Sequence, residues 1–142
     1  MRPPHLRPTL IGLVILGGAF GTASREALSL SIAPVGSFPL AIFLINVAGS
    51  FALGLLLEGL VRTGADIGRR RTIRLFAGTG FLGGFTTYSA LATDTDLLLR
   101  GGDVSTGLLY AVATLLLGLL AAWAGIVVAA SAHRRRTRGA GA

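Results

Sequence analysis

The chain of 142 residues has no cysteine and no lysine, and charged side chains make up only 13% of it. Without cysteine there is no disulfide framework, no thiol nucleophile and no thiolate metal site. So little charge excludes an ordinary soluble domain, in which about a quarter of the residues are charged. Catalytic constellations are also missing. His5 and His133 lie in the terminal segments with no clustered acids to complete a metal site, and no phosphate loop or nucleophile–base arrangement occurs. The chain has no long polar insertion and no repeat of useful length, so it reads as one domain, residues 1–142, and not as an enzyme.

What is present is apolar: 52% of the residues are hydrophobic, and the mean hydropathy is +0.73. These values describe an integral protein of a lipid bilayer. The net charge of +7 is carried entirely by arginine. A basic balance can signify nucleic acid, but here the arginines sit in short clusters between apolar runs. Membrane topology accounts for them, and no nucleic-acid partner is expected. The start, with Arg2 and Arg7 before an apolar run, imitates a secretory signal. Beyond that run the chain stays apolar instead of turning into a secreted domain, so the run reads as a first crossing.

Uncharged runs cover residues 8–24, 27–57, 75–93 and 104–132. Pro34, Gly36 and Pro39 divide the second run and mark a loop before a helix. A crossing helix needs about 17–25 residues, and the first run is near that limit, so its helix should continue past Arg25 and Glu26. The runs predict four helices, at roughly 8–30, 39–61, 73–98 and 104–131, with a basic tail at 132–142 that is disordered from Thr137 onward. Four crossings put both termini and the central loop on one side. Of the 13 arginines only Arg25 and Arg100 fall on the other side. The positive-inside rule then places both termini in the cytoplasm. The clusters at 69–71 and 134–136 act as topology anchors or touch anionic lipid.

The third run is peculiar. Gly78, Gly80, Gly83 and Gly84 precede the pair Thr86 and Thr87, a poor recipe for an unbroken helix. Irregular backbone at membrane depth survives only where protein or a polar cavity covers it. Two readings stand. The break is a kink packed on a neighbour, or the freed carbonyls around 83–87 hold a small hard cation, which prefers oxygen ligands.

Other helices carry narrow polar faces. Asn46, Ser50 and Gly54 are spaced i, i+4, i+8, as are Tyr110, Thr114 and Gly118. A buried asparagine in lipid needs partners. It serves as glue between helices, or it offers an amide N–H to a passing anion. Gly17 and Gly21 form a GxxxG that lets helices approach closely. Arg25 and Glu26 form an interfacial ion pair, or the arginine snorkels. Glu58 lies near the arginine-rich interface, and Asp94 and Asp96 lie at the outer exit of the third helix. Trp123 reads as packing, and Phe38 and Phe43 as interface or core aromatics.

Three segments together resemble the CrcB/Fluc family of fluoride channels, over nearly the whole chain. They are the glycine-rich stretch ending in Arg25 (17–25), the stretch from Asn46 through Gly49 and Ser50 to Phe51, and the run from Gly80 to Leu91 with Gly83, Gly84, Thr86 and Thr87 at its centre. The resemblance implies an antiparallel dimer with two pores and a structural sodium ion at its centre. It implies that main-chain oxygens of Gly83 and Thr86 hold that sodium. By the same resemblance Asn46, Ser89, Tyr110 and Thr114 line the pore, Arg25 has a structural place, and fluoride leaves the cytoplasm down its electrochemical gradient.

Two departures from the family pattern stand out. Tyr88 and Leu91 occupy pore positions where the family has phenylalanine, and Ala90 stands between them. The arginine bias also favours one insertion, whereas a homodimer inserted both ways needs a weak preference. Some members of the family work as two related subunits of opposite fixed orientation. The expectation is therefore one half of a heterodimer, with a homodimeric channel as the alternative. A proton-coupled exporter of the small multidrug type would need a membrane-embedded carboxylate, and Glu26 and Glu58 lie too near helix ends. A non-transporting scaffold would pass no ion.

Overall fold

The computed structural model describes residues 7–139, with side chains to residue 135. The readings made of Arg2 and His5 fall outside it. Within the described residues the fold is all-helical, apart from an isolated bridge between Val35 and Phe38. Helix α1 spans Pro8–Ser31 and begins on a proline, whose fixed φ and missing N–H suit the first turn. It runs through Arg25 and Glu26, as the length argument requires. Helix α2 spans Leu40–Arg62.

A loop then leads to a segmented helix: α3 at Arg69–Ile73, a wider π-type stretch at Arg74–Leu82, α4 at Gly83–Phe85 and α5 at Tyr88–Arg100. A turn with Gly102 at φ +85° connects it to α6, Val104–Gly139. Among the described residues three helices are long and apolar enough to cross a membrane: α1, α2 and Val104–Arg135 of α6. The protein is therefore a multi-pass membrane protein, and many large apolar side chains face outward.

The termini of these elements correct two expectations. The third helix begins at Arg69 and ends at Arg100, beyond the predicted 73–98. The tail expected to be unstructured from Thr137 continues as helix to Gly139, because Ala132 and the arginines after it are good helix formers. Trp123 is also corrected. It is 64% exposed and faces outward, so it does not pack inside the chain. Phe38, in contrast, meets both Phe43 and Tyr110 edge-to-face, each at 5.4 Å between ring centres.

Two close helix pairs position everything else. Helix α2 lies against α6 where a Cβ on Gly125 would stand 2.8 Å from the Leu55 nitrogen. Helix α1 lies backbone to backbone against the π-type stretch. A Cβ on Gly80 would come within 2.9 Å of the Gly17 Cα, and one on Gly21 within 2.9 Å of the Phe85 nitrogen. The GxxxG of α1 thus finds its partner in the glycines of the segmented helix, as small-residue interfaces in membranes do.

Candidate functional site

The chain leaves helical geometry at two residues, Thr86 (φ −78°, ψ 155°) and Thr87 (φ −149°, ψ 122°). In an intact helix the carbonyl of Gly83 would accept the N–H of Thr87, and that of Thr86 the N–H of Ala90. Side chains take both donors. The Thr87 N–H donates to Asn46 Oδ1 at 2.8 Å. The Ala90 N–H donates to Thr87 Oγ1 at 3.1 Å, which caps α5. The carbonyls of Gly83 and Thr86 are thereby released from the helix. Asn46 Nδ2 donates in turn to the Thr87 carbonyl at 3.0 Å. Donor and acceptor are both matched, which fixes the orientation of the amide. Asn46 is 9% exposed, so the clasp sits in a protected environment where an unmade bond would be costly.

Among the described residues no group of three or more His, Asp or Glu side chains is placed to hold a metal. A cation here has main-chain oxygens to turn to. Gly83 is exposed and Thr86 half-buried. The Thr86 hydroxyl donates back to Leu82 O at 2.9 Å, which steadies the turn just before the break. These two carbonyls fit a hard cation in kind, but two oxygens are too few to replace its shell of water.

Beside the break lies an open groove of about 390 Å³, lined by Asn46, Ser50, Tyr88, Leu91 and Thr114, with Thr86 at its edge. The polar faces of α2 and α6 meet there: a Cβ on Gly118 would lie 3.5 Å from Ser50 Oγ. Tyr88 is 76% exposed and Leu91 is buried. The Thr114 hydroxyl donates to the Tyr110 carbonyl at 2.6 Å, so its oxygen is presented as an acceptor.

Four of the six expected pore residues, Asn46, Tyr88, Leu91 and Thr114, are brought together in this groove. The other two are placed differently. Tyr110 is fully buried behind the groove, its hydroxyl donating to Asp94 Oδ2 at 3.2 Å. Ser89 is exposed, its Oγ 3.1 Å from Thr87 Oγ1. Arg25 makes no ion pair with Glu26 among the described residues, and its Nε is buried without a hydrogen-bond partner. Glu58 pairs with Arg62 one turn on, as its interfacial place suggested.

The link between Asp94 and Tyr110 escaped the sequence reading, although a signal for it exists. The two residues are equally far from Gly102, the centre of the turn between α5 and α6. Counting outward from that turn pairs them.

Known proteins share this outline. The family model described as "CrcB-like protein, Camphor Resistance (CrcB)" matches residues 12–126, from α1 well into α6. "Fluoride-specific ion channel FluC 2" of Leifsonia xyli subsp. xyli is 52% identical over 134 residues, which are 94% of this chain and 92% of the relative. "Fluoride-specific ion channel FluC 1" of Cutibacterium acnes is 42% identical over 125 residues, 87% of this chain and 86% of the relative. "Fluoride-specific ion channel FluC" of Deinococcus radiodurans is 45% identical over 118 residues, 81% and 90% respectively. These relatives are named as channels, a class of transporter and not of enzyme.

Proposed function

This chain belongs to the CrcB family of fluoride-specific channels, and from that membership we propose that it is one subunit of a channel carrying fluoride out of the cytoplasm down its electrochemical gradient. The groove supports this reading because it collects polar groups beside an apolar helix pair. It also explains why a single chain is insufficient. The groove is open on one side, and an anion facing hydrocarbon there would suffer a prohibitive loss of hydration. A second subunit, of the same family and opposite orientation, closes it.

The observation that carries the proposal is the clasp of Asn46 on Thr87 with the freed carbonyls beside it. Gly83 and Thr86 of two subunits would together offer four oxygens to a sodium ion on the axis between them. When bound, that ion supplies a fixed positive charge near the path and a tie between subunits. Asn46 keeps one amide hydrogen beyond its clasp, a donor for a passing anion. Ser50 adds a hydroxyl, and Tyr88 another at the exposed edge. Tyr110 acts from behind this lining by holding α5 against α6, and Ser89, at the exposed side, steadies Thr87. Arg25 is a structural residue of α1.

The placement of the arginines favours one insertion, with both termini in the cytoplasm. The partner is then a related chain of opposite charge bias, and this subunit gives its pore Tyr88, whose ring carries a hydroxyl, and Leu91, which has no ring edge. A proton-coupled exporter is not favoured by the fold: Glu26 is exposed, Glu58 is paired with Arg62, and the half-buried Asp94 is tied to the Tyr110 hydroxyl.

The test is fluoride efflux from liposomes, followed with a fluoride electrode, for this chain alone and together with such a partner. Little flux alone and rapid flux for the pair is the expected outcome. Rapid flux from this chain alone would show a homodimer, and no flux in either case would refute the channel reading.

A further inference from the structure

A second cavity, unrelated to the break, opens where the first turns of α1 pass the start of the segmented helix. Its volume is about 550 Å³, within the range of about 300–1,000 Å³ typical of small-ligand pockets. Its floor is apolar, made by Ile11 and Val14 of α1 and by Leu75. Its rim carries Arg71, Arg74 and Asp66. Ile11 and Ile15 are 45% and 64% exposed, so the floor is open on its outer side.

The rim has a definite charge pattern. Arg74 Nε and Nη2 grip both oxygens of Asp66 at 3.1 and 2.8 Å. Arg71 Nε donates to the Asp66 carbonyl at 3.0 Å. These bonds hold Asp66's carboxyl below its ordinary range and fix both guanidinium planes. One carboxylate faces two guanidiniums, so the rim remains positive. Among the described residues, both terminal nitrogens of Arg71 and Nη1 of Arg74 are uncommitted. Guanidiniums pre-set in this way suit a phosphate oxygen pair.

We infer that this cavity is a binding site for an anionic phospholipid, the phosphate on Arg71 and Arg74 and the acyl chain along Ile11, Val14 and Leu75. Charge complementarity selects the headgroup, and the open apolar floor selects a lipid over a free anion. Basic pockets between membrane helices take such headgroups. The inference does not depend on fluoride conduction.

Thermal unfolding of the purified full chain in detergent tests it, with dioleoylphosphatidylglycerol, dioleoylphosphatidylcholine or soluble glycerol 3-phosphate added in turn. Phosphatidylglycerol should raise the melting temperature, and the other two should not. Arg71→Gln leaves the Asp66–Arg74 pair intact and should weaken the response to phosphatidylglycerol about fivefold, the worth of one basic contact at a membrane surface. Arg100→Gln, at the far end of the segmented helix, should leave it unchanged. Ile11→Trp, which fills the floor from an exposed position, should abolish it and decides the matter alone should Arg71→Gln fold poorly. Equal shifts with phosphatidylcholine, an equal effect of glycerol 3-phosphate, or equal losses in Arg71→Gln and Arg100→Gln would each overturn the site. So would disulfide capture of a second copy through Ile11→Cys with no response to phosphatidylglycerol.

Discussion

Asn46 shows how far a single residue can be read. A carboxamide in a lipid-buried run announces that it needs partners, and the sequence left open whether those were protein or a passing ion. The structure gives it a protein partner at both atoms, the N–H and the C=O of Thr87. That partner lies 41 residues away, and helical spacing says nothing about contacts at such a distance. Asn46→Asp keeps an acceptor for the Thr87 N–H but turns a negative oxygen toward the Thr87 carbonyl. A buried carbonyl without its donor costs about 1–3 kcal/mol, so the melting temperature should fall. Fluoride flux through the subunit pair should fall as well, since a carboxylate repels the anion. Melting temperature and efflux measured on the same preparation check this. Unchanged values of both would remove Asn46 from the clasp and from the path.

At the scale of elements, the number, type and order of the helices were legible from hydropathy, because a bilayer demands long apolar runs. The glycines were legible as special and misread in kind. Gly78, Gly80, Gly83 and Gly84 with Thr86 and Thr87 suggested a break around 83–87, and it falls there, but each glycine is helical and the unwound residues are the two threonines. Glycine lowers helix propensity by about 1 kcal/mol, a penalty written for water. At Gly80 and Gly84 the missing side chain lets two backbones meet, and that contact holds the helix against α1. The break arises instead from hydroxyl and amide groups that intercept backbone donors. Gly21→Ala should therefore damage the fold, since its Cβ would press on the backbone of Phe81 and Phe85, which has nowhere to move. Gly12→Ala has open space around it and should be neutral or stabilising by about 0.5–1 kcal/mol. Melting temperatures of the two variants, compared in one detergent, give the answer. Similar behaviour would mean that α1 does not pack against the π-type stretch as closely as described.

At the scale of the whole molecule, charge and site make one argument. The break leaves the carbonyls of Gly83 and Thr86 without helical donors, and among the described residues no acid cluster stands ready to complete a shell. Neither a second chain nor an ion can be read from the spacing of one sequence, because both are properties of an assembly. If these carbonyls hold the proposed ion, a second subunit supplies the rest of its shell. Sodium should therefore stabilise the subunit pair and not the isolated subunit. At a hundredfold excess over its dissociation constant the gain is about 2.7 kcal/mol, which appears as a lower melting temperature when N-methylglucamine replaces sodium. Thr87→Val sharpens the test. Valine keeps the branched shape but cannot accept the Ala90 N–H, so the cap that steadies the start of α5 beside the released carbonyls is lost. The paired Thr87→Val protein should lose its response to sodium. If it keeps a full response, or if the isolated wild-type chain responds as strongly as the pair, the released carbonyls do not hold the ion.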